Sequence, residues 1–198
     1  MTCPRRIAVL CVRPHTIYAQ FPECDLYDRA RDARTYPGGL PIIAHPPCRA
    51  WGKLRGQAHI DEDEKAMCIW IAGQVRAWGG ILEQPSHSLL WSAVGLPLPG
   101  THDDIGWTLG IHQCWAGHRA EKPTWLYIAG CPPHDTPPFP FRFGDPTHTI
   151  GPSKRNGGPR LPECTRAERE HTPEPLARWL ISVALRCHPA ARVERSMP

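Results

Sequence analysis

A thiol and a carboxylate stand at the ends of two short apolar segments of this chain. Cys48 follows an apolar run at residues 41–44 and a pair of prolines, and Glu83 follows a second short run and precedes a Gln-Pro pair. A cysteine at such a turn is a candidate covalent nucleophile, and a nearby carboxyl group can serve as its acid–base partner. His45, beside the first turn, is a candidate for lowering the pKa of the Cys48 thiol.

An amphipathic helix is predicted between these two segments. It begins at Asp61 and ends at Gly79-Gly80. Its apolar residues recur at helical spacing, and they are Met67, Trp70, Ile71, Val75 and Trp78. A strand–helix–strand unit links neighbouring parallel strands, and ligands bind beyond the carboxyl ends of such strands. We therefore expect Cys48 and Glu83 to meet at one edge of a sheet, within ~10 Å for a strand spacing of about 4.8 Å.

The remaining segments predict the class of fold. Apolar runs that indicate further strands lie at residues 7–12, 24–28 and 125–128. Thr172 and Pro173 suit the start of a helix near the end of the chain. Strands that alternate with helices predict an α/β fold. We expect a Rossmann-like, mainly parallel sheet with flanking helices and a Pro-rich, loop-rich second half.

Composition bounds the domain organisation and the compartment. A chain of 198 residues with 41% hydrophobic content can build one sizeable core. We predict one domain over 1–198, with an α/β core at 1–94, a loop-rich substrate-side region at 95–165 and a C-terminal helix at 166–187. Nine irregularly spaced cysteines indicate reduced thiols and a cytoplasmic location. No apolar run reaches the ~18 residues of a membrane span, so no membrane partner is expected.

The two turns resemble those of the cytosine-5 DNA methyltransferase family, especially its short phage-type members. The resemblance rests on Pro46-Pro47-Cys48 after one strand and on Glu83-Gln84-Pro85 after the next. It implies that the Cys48 thiolate attacks carbon 6 of a flipped-out cytosine in DNA. It also implies that Glu83 holds and protonates ring nitrogen 3, so that carbon 5 takes a methyl group from S-adenosylmethionine. Extrusion of the base from the duplex is expected of such an enzyme.

The resemblance extends to segments that would bind the substrate. Residues 113–118 and 122–128 are similar to a Gln-x-Trp-x-Phe-Gly-His…Lys-x-Thr stretch of the short phage members, and residues 166–179 resemble their closing helix. It implies that a set of residues contacts the substrate or forms the walls of its pocket. These residues are Pro46, Pro47, Arg49, Gln84, Gln113, His118 and Lys122. Lys53 and Arg55 follow the cysteine closely and could meet a phosphate.

The chain departs from the family pattern where the cofactor would bind. The family has a Gly-rich turn after its first strand, whereas this chain has no glycine before Gly38. The resemblance leaves Asp25 or Asp28 to hold the cofactor ribose. Gln84 also replaces the family's Asn. Three possibilities remain open: S-adenosylmethionine bound through an unusual loop, another carbon-5 pyrimidine reaction through the same covalent adduct, or a scaffold kept for binding DNA alone.

A zinc site is an alternative of another class. Its candidate ligands are Cys114, His118, Cys131 and His134, whose spacings are tolerable for zinc. The segment between the two pairs contains an apolar run that indicates a strand. Eight tryptophans and a formal charge of +4 also permit a protein that only binds nucleic acid.

Overall fold

The computed structural model describes residues 6–52, 56, 60–142, 144–151 and 161–190. Its centre is a six-stranded sheet with the order β2-β1-β3-β4-β6-β5. The strands are β1 Ile7–Leu10, β2 Cys24–Tyr27, β3 Ile42–Ala44, β4 Gly80–Pro85, β5 Gly106–His112 and β6 Pro123–Ala129. The helices are α1 Glu62–Trp78, α2 Leu90–Ala93, α3 Arg166–Glu170 and α4 Glu174–Ala184. The α/β class predicted from the sequence is therefore confirmed.

The sheet is mixed. The pairs β1–β2, β1–β3 and β3–β4 are parallel. β6 runs antiparallel to both β4 and β5. The sequence predicts β6 in part but gives no signal for β5, because the glycines at 106 and 110 and the polar Thr108 break the apolar pattern. The second half is loop-rich outside these two strands, and it supplies the antiparallel edge of the sheet.

Each face of the sheet is covered by one long helix. α4 covers the face that includes Val9, Ile43 and Ile81. α1 covers the opposite face, with Leu10 and Leu82. Alternate residues of a strand point to opposite faces, so strands buried on both sides read as continuous apolar runs. This explains why β1 and β3 are visible in the sequence as unbroken apolar segments.

The predicted crossover helix is confirmed as α1. The Asp61 side chain caps it by accepting hydrogen bonds from the backbone amides of Asp63 and Glu64. Gly79 ends the helix with φ of 78°, and Gly80 begins β4 with φ of 124°. A β-carbon added at Gly80 would lie 2.0 Å from the carbonyl oxygen of Ile42. Glycine at this position therefore allows β3 and β4 to approach each other closely.

The segment predicted as one C-terminal helix forms two. α3 is a single capped turn, in which Thr165 and Glu168 make a capping box. Its C-cap, His171, has extended backbone, and α4 begins after Pro173. The break follows because the residue before a proline disfavours helical conformation. Within the described residues, no helix combines the length and apolar character needed to cross a membrane.

Two glycines of this region should respond oppositely to alanine. Gly80→Ala should lower the free energy of unfolding by about 2 kcal/mol or more, because the new methyl group meets the backbone of β3 at a strained φ. Gly73→Ala, at an open position of α1, should raise it by roughly 0.5–1 kcal/mol. Urea unfolding of both variants tests this. Equal stabilities would contradict the close approach of β3 and β4.

Candidate active site at the carboxyl ends of β3 and β4

Cys48 lies in a turn that is fixed to both neighbouring elements. Its own carbonyl oxygen accepts hydrogen bonds from the backbone amides of Trp51 and Gly52, which closes the turn. The Gln84 amide nitrogen donates to the Pro46 carbonyl oxygen at 2.5 Å, and the Cys68 thiol of α1 faces the Pro47 carbonyl oxygen at 3.5 Å. The Cys48 side chain itself is exposed. A fixed backbone with an accessible thiol suits a nucleophile.

Glu83 lies inside β4, not after it. β3 ends at Ala44, whose partner is Leu82, whereas β4 continues to Pro85 because β6 pairs with it on the other side. Glu83 is therefore the first residue of β4 beyond the end of β3. The expected parallel pairing of β3 with β4 is confirmed, whereas the expectation that Glu83 follows its strand is wrong, because β4 continues through it.

Two side chains donate hydrogen bonds to the nearly buried Glu83 carboxylate. The Gln113 amide nitrogen bonds its Oε1 at 3.0 Å, and His45 Nδ1 lies 3.1 Å from its Oε2. The other ring nitrogen of His45 lies 3.0 Å from the hydroxyl of the buried Tyr18. Nothing in the sequence pattern points to Tyr18, which comes from a 3₁₀ turn far from Glu83 along the chain.

Gln113 also joins this carboxylate to Lys122. Its amide nitrogen bonds the Thr124 hydroxyl at 3.0 Å, and its backbone amide donates to the Lys122 carbonyl oxygen at 3.2 Å. The Lys122 ammonium donates to the carbonyl oxygen of His171 at 3.0 Å, at the end of α3. Lys122 has φ of 42°, a left-handed conformation uncommon for a residue with a side chain.

α3 adds one more charged residue to the surroundings of Cys48 and Lys122. Glu170, its last residue, pairs with Arg13 of the turn after β1 and with Arg166. Its negative charge raises the pKa of the Cys48 thiol slightly and opposes the lowering of the Lys122 pKa. The sequence suggested α3 for the site only through the resemblance, and the structure brings it there through Glu170 and His171.

The electrostatics place the site proton on sulfur in the resting protein. Although Cys48 is exposed, the protein atoms around its sulfur partly remove it from water and so raise the pKa of its thiol. The negative charge of Glu83 raises this pKa further, against a smaller opposing effect of Lys122. Burial alone would raise the pKa of Glu83, but its contacts with His45, the charge of Lys122 and the Gln113 hydrogen bond together lower it. The suggestion that His45 lowers the pKa of Cys48 is not borne out, because the His45 ring faces Glu83 and Tyr18. The resting pair is therefore a thiol and a carboxylate.

Other predicted substrate residues have protein partners. Arg49 forms a two-point ion pair with Glu64 of α1, at 2.7 and 3.0 Å, and remains largely exposed. His118 is buried: its Nδ1 lies 2.9 Å from the Ala120 amide, and its Nε2 lies 2.9 Å from the Glu168 carbonyl oxygen. His118 thus holds α3 against the chain near Lys122. Lys53 and Arg55 lie outside the described residues.

The two aspartates expected to hold a cofactor differ in what they contact. Asp25 is buried and accepts two hydrogen bonds from Arg31, at 2.6 and 3.2 Å, and a third from the Tyr27 hydroxyl. Asp28, just after β2, accepts backbone amides of the following turn through Oδ1. Its Oδ2 accepts no hydrogen bond from the described residues. Asp28 is therefore the better placed of the two to take a ribose hydroxyl.

The turn after β1 adopts glycine-like conformations without glycine. Cys11 and His15 have φ of 60° and 62°. Burial, with the neighbouring Cys68, Asp32 and Glu64 charges, raises the pKa of the Cys11 thiol to about 12. The turn therefore contains two left-handed residues of the kind that glycine usually supplies, although no glycine is present.

The four candidate zinc ligands do not gather. Among the described residues, no group of three or more His, Cys, Asp or Glu side chains is arranged to hold a metal ion. Both ring nitrogens of His118 have backbone partners, and His134 is an exposed side chain beside Asp135.

A concavity of about 550 Å³ lies away from Cys48 and Glu83, between the prolines at 137, 138 and 140 and helix α4. It is lined by Arg142, Arg178 and Trp179 among others.

Comparisons of the chain with protein-family models, with curated proteins and with solved structures gave no match.

Removing either charge beside Cys48 should change the reactivity of its thiol in opposite directions. Glu83→Gln should speed alkylation of Cys48 at pH 8, because the negative charge that raises its pKa is gone, and Lys122→Met should slow it. We expect each change to be roughly 3- to 10-fold, since only the thiolate reacts. Iodoacetamide labelling read by mass spectrometry of the Cys48 peptide measures both. Arg34→Met, at a surface ion pair on another edge, serves as the control, and equal rates in all variants would contradict the electrostatic coupling.

Proposed function

We propose that this protein modifies carbon 5 of cytosine in DNA through a covalent adduct with Cys48, most simply by methylation. The observation that carries the proposal is that Cys48 follows β3, while Glu83 lies one residue beyond the end of β3 on the neighbouring parallel strand β4, close enough for its charge to raise the pKa of the Cys48 thiol. The negative charge of Glu83 raises the pKa of the Cys48 thiol, and the cation of Lys122 opposes this increase and helps to lower the pKa of Glu83. Nucleophile, acid–base group and charge-stabilising cation are the parts that this chemistry requires.

Cys48, Glu83 and Lys122 each have a separate role in the proposed reaction. Cys48 sulfur bonds carbon 6 of the ring as its thiol proton passes to the Glu83 carboxylate. Glu83 delivers this proton to ring nitrogen 3, so that the electron pair of the 5,6 double bond becomes available at carbon 5. After the new bond forms, carbon 5 loses its hydrogen as a proton to water, Cys48 leaves carbon 6 as a thiolate, and the proton on nitrogen 3 returns through Glu83 to the sulfur. Lys122 stabilises the negative charge that develops on sulfur or on the ring.

The proposed architecture is Rossmann-like. The four parallel strands have the order β2-β1-β3-β4, in which the chain turns to opposite sides of β1. In sheets of this kind ligands bind at the switch point, beyond the carboxyl ends of the central strands. Here that point lies between β1 and β3, next to the Cys48 turn, since the His45 amide bonds the Leu10 carbonyl oxygen at 3.1 Å.

S-adenosylmethionine is the proposed methyl donor. When bound, it supplies an electrophilic methyl group that the ring can take. Two observations fit this group: Cys11 and His15 adopt, in the turn after β1, the left-handed conformations usual for glycine, and Asp28 follows the end of β2. Asp25 fits poorly, because Arg31 and Tyr27 already bond its oxygens. Asp28 alone is then left to hold the ribose, and the second candidate is a related carbon-5 pyrimidine reaction through the same covalent adduct that does not use S-adenosylmethionine.

DNA is the proposed partner. Lys122, Gln113 and the exposed Arg49 surround the site and would contact the base or its phosphates. Pro46, Pro47 and Gln84 form the fixed turn, which would be a wall of the base pocket. His118 would act through α3, which it holds in place.

Expression in a bacterial host that lacks cytosine methylation tests the reaction without assuming a target sequence. We expect 5-methylcytosine in the host DNA, measured by mass spectrometry of nucleosides, and at least a 100-fold loss with Cys48→Ala or Glu83→Gln. Cys114→Ala, a partly exposed cysteine outside the site, is the control and should keep full activity. Another Cys48-dependent mass would support the second candidate, and unmodified DNA in every sample would contradict the proposal.

A further inference from the structure

The side-chain amide of Gln113 is fixed in one orientation by its hydrogen bonds. Its Nε2 donates to Glu83 Oε1 and to Thr124 Oγ1, each at 3.0 Å. The Thr124 hydroxyl donates its own hydrogen to the Lys122 carbonyl oxygen, so it accepts from Gln113. Both hydrogens of the amide therefore have acceptors. Turning the amide over would place its oxygen against the Glu83 carboxylate, which can only accept.

The two groups that hold the amide belong to paired strands of the sheet. β4 and β6 pair with Glu83 opposite Leu126 and with Pro85 opposite Thr124. Alternate residues of a strand point to the same face, so Glu83 and Thr124 are diagonal neighbours on one face of the sheet. Gln113, from the turn after β5, bridges them. The orientation of its amide is therefore set by the sheet.

The remaining polar atom of this side chain, Gln113 Oε1, is buried without a donor. Gln113 is 1% exposed, and no described residue donates a hydrogen bond to this oxygen. Gln84, an equally buried glutamine beside Glu83, has partners at both ends of its amide, namely the Pro46 carbonyl oxygen and the Ser88 hydroxyl. Buried acceptors are normally paired, because water cannot solvate them. Gln113 Oε1 is therefore an acceptor that a ligand at Glu83 can use.

Pyrimidine bases differ in the groups that flank ring nitrogen 3. In cytosine this nitrogen lies between the amino group on carbon 4, which donates, and the oxygen on carbon 2, which accepts. In uracil and thymine it lies between two carbonyl oxygens. A ring that places nitrogen 3 against Glu83 has one flanking group on the side of Gln113, whose amide bonds the same carboxylate. Cytosine can present its amino group there, whereas uracil and thymine present an oxygen in either orientation.

We propose that Gln113 Oε1 accepts a hydrogen bond from the amino group on carbon 4 and thereby selects cytosine over uracil and thymine; this inference rests on the proposed function. Glu83 alone does not make this selection, because its carboxylate can also accept the N–H at nitrogen 3 of uracil. Gln113 is thus a specificity-determining residue that touches the base. Thr124 acts through Gln113 as a positioning residue.

The same contact favours the reaction of cytosine after Cys48 has bonded carbon 6. When nitrogen 3 gains its proton, the amino group on carbon 4 becomes more positive and donates more strongly to Gln113 Oε1. In uracil the same attack moves negative charge onto the oxygen on carbon 4, which repels Gln113 Oε1 when the two face each other. The selection should therefore be larger in the rate of reaction than in binding.

Exchange of the hydrogen on carbon 5 measures this selection without a methyl donor. In the Cys48 adduct, carbon 5 takes a deuteron from ²H₂O and releases its original hydrogen as a proton. Cys48 then leaves as a thiolate, and the proton on nitrogen 3 returns through Glu83 to the sulfur. The substrate is bacterial DNA copied with deoxyuridine in place of thymidine, which offers cytosine and uracil in many sequence contexts. By mass spectrometry of nucleosides, we expect cytosine to exchange at least about 1000-fold faster than uracil.

Gln113→Met should reduce the ratio of cytosine exchange to uracil exchange roughly 100-fold, because the acceptor is lost. Thr124→Val should reduce it less, since one of the two groups that hold the amide remains. Gln84→Met, at the buried glutamine with both ends paired, is the matched control and should slow both bases by the same factor. Both rates come from one sample, so a loss of folded protein does not change their ratio. An unchanged ratio in Gln113→Met, or equal exchange of both bases by the wild type, would overturn the proposal.

A binding measurement separates this selection from the proposed reaction. The side-chain amide resonances of Gln113, assigned by their loss in Gln113→Met, are followed by NMR while deoxycytidine monophosphate or deoxyuridine monophosphate is added. We expect them to shift with the cytosine nucleotide only. Such a shift in a protein that modifies no DNA supports the selection and makes the proposed function the part that fails. Equal shifts with both nucleotides overturn the selection even if the protein methylates DNA.

Discussion

The candidate site depends on one nearly buried carboxylate. A charge removed from water is stable only where hydrogen bonds and opposite charges replace its hydration. Glu83 finds these replacements in His45 from the end of β3, Gln113 from the turn after β5, and the charge of Lys122 before β6. Each of these residues is far from Glu83 along the chain. Satisfying this single charge therefore fixes the ends of four strands relative to one another.

The same constraint determines where the proton rests. The partners that keep Glu83 ionised make it a poor acid, and its negative charge makes Cys48 a poor nucleophile. A thiolate and a carboxylic acid differ from this resting pair only by the position of one proton. A base that enters the site would remove water and add a proton acceptor beside Glu83, which favours the exchanged state. Under the proposed function, the resting site would therefore stay inert until a base binds.

The sequence predicts the parts of this site that depend on local signals. The apolar run of β3, its stop at Pro46-Pro47, the cap at Asp61 and the glycines after α1 place Cys48 and Glu83 on neighbouring strands. Tyr18 and Glu170 carry no such signal, because an isolated tyrosine in a 3₁₀ turn and the last residue of a short helix look like any surface residue. Their roles follow from packing between distant segments. β5 escapes prediction for a related reason, since the glycine at position 106 is required by the close approach of β6.

The turn after β1 shows how composition can mislead about conformation. A loop without glycine predicts a stiff backbone, yet Cys11 and His15 both adopt left-handed φ values, each at a cost of roughly 1–3 kcal/mol. Such conformations persist only where the surroundings impose them. Here the Val12 amide is bonded to the Tyr27 carbonyl oxygen of β2, and Arg13 pairs with Glu170 of α3. The strained turn is therefore linked through Arg13 and Glu170 to the charges around Cys48.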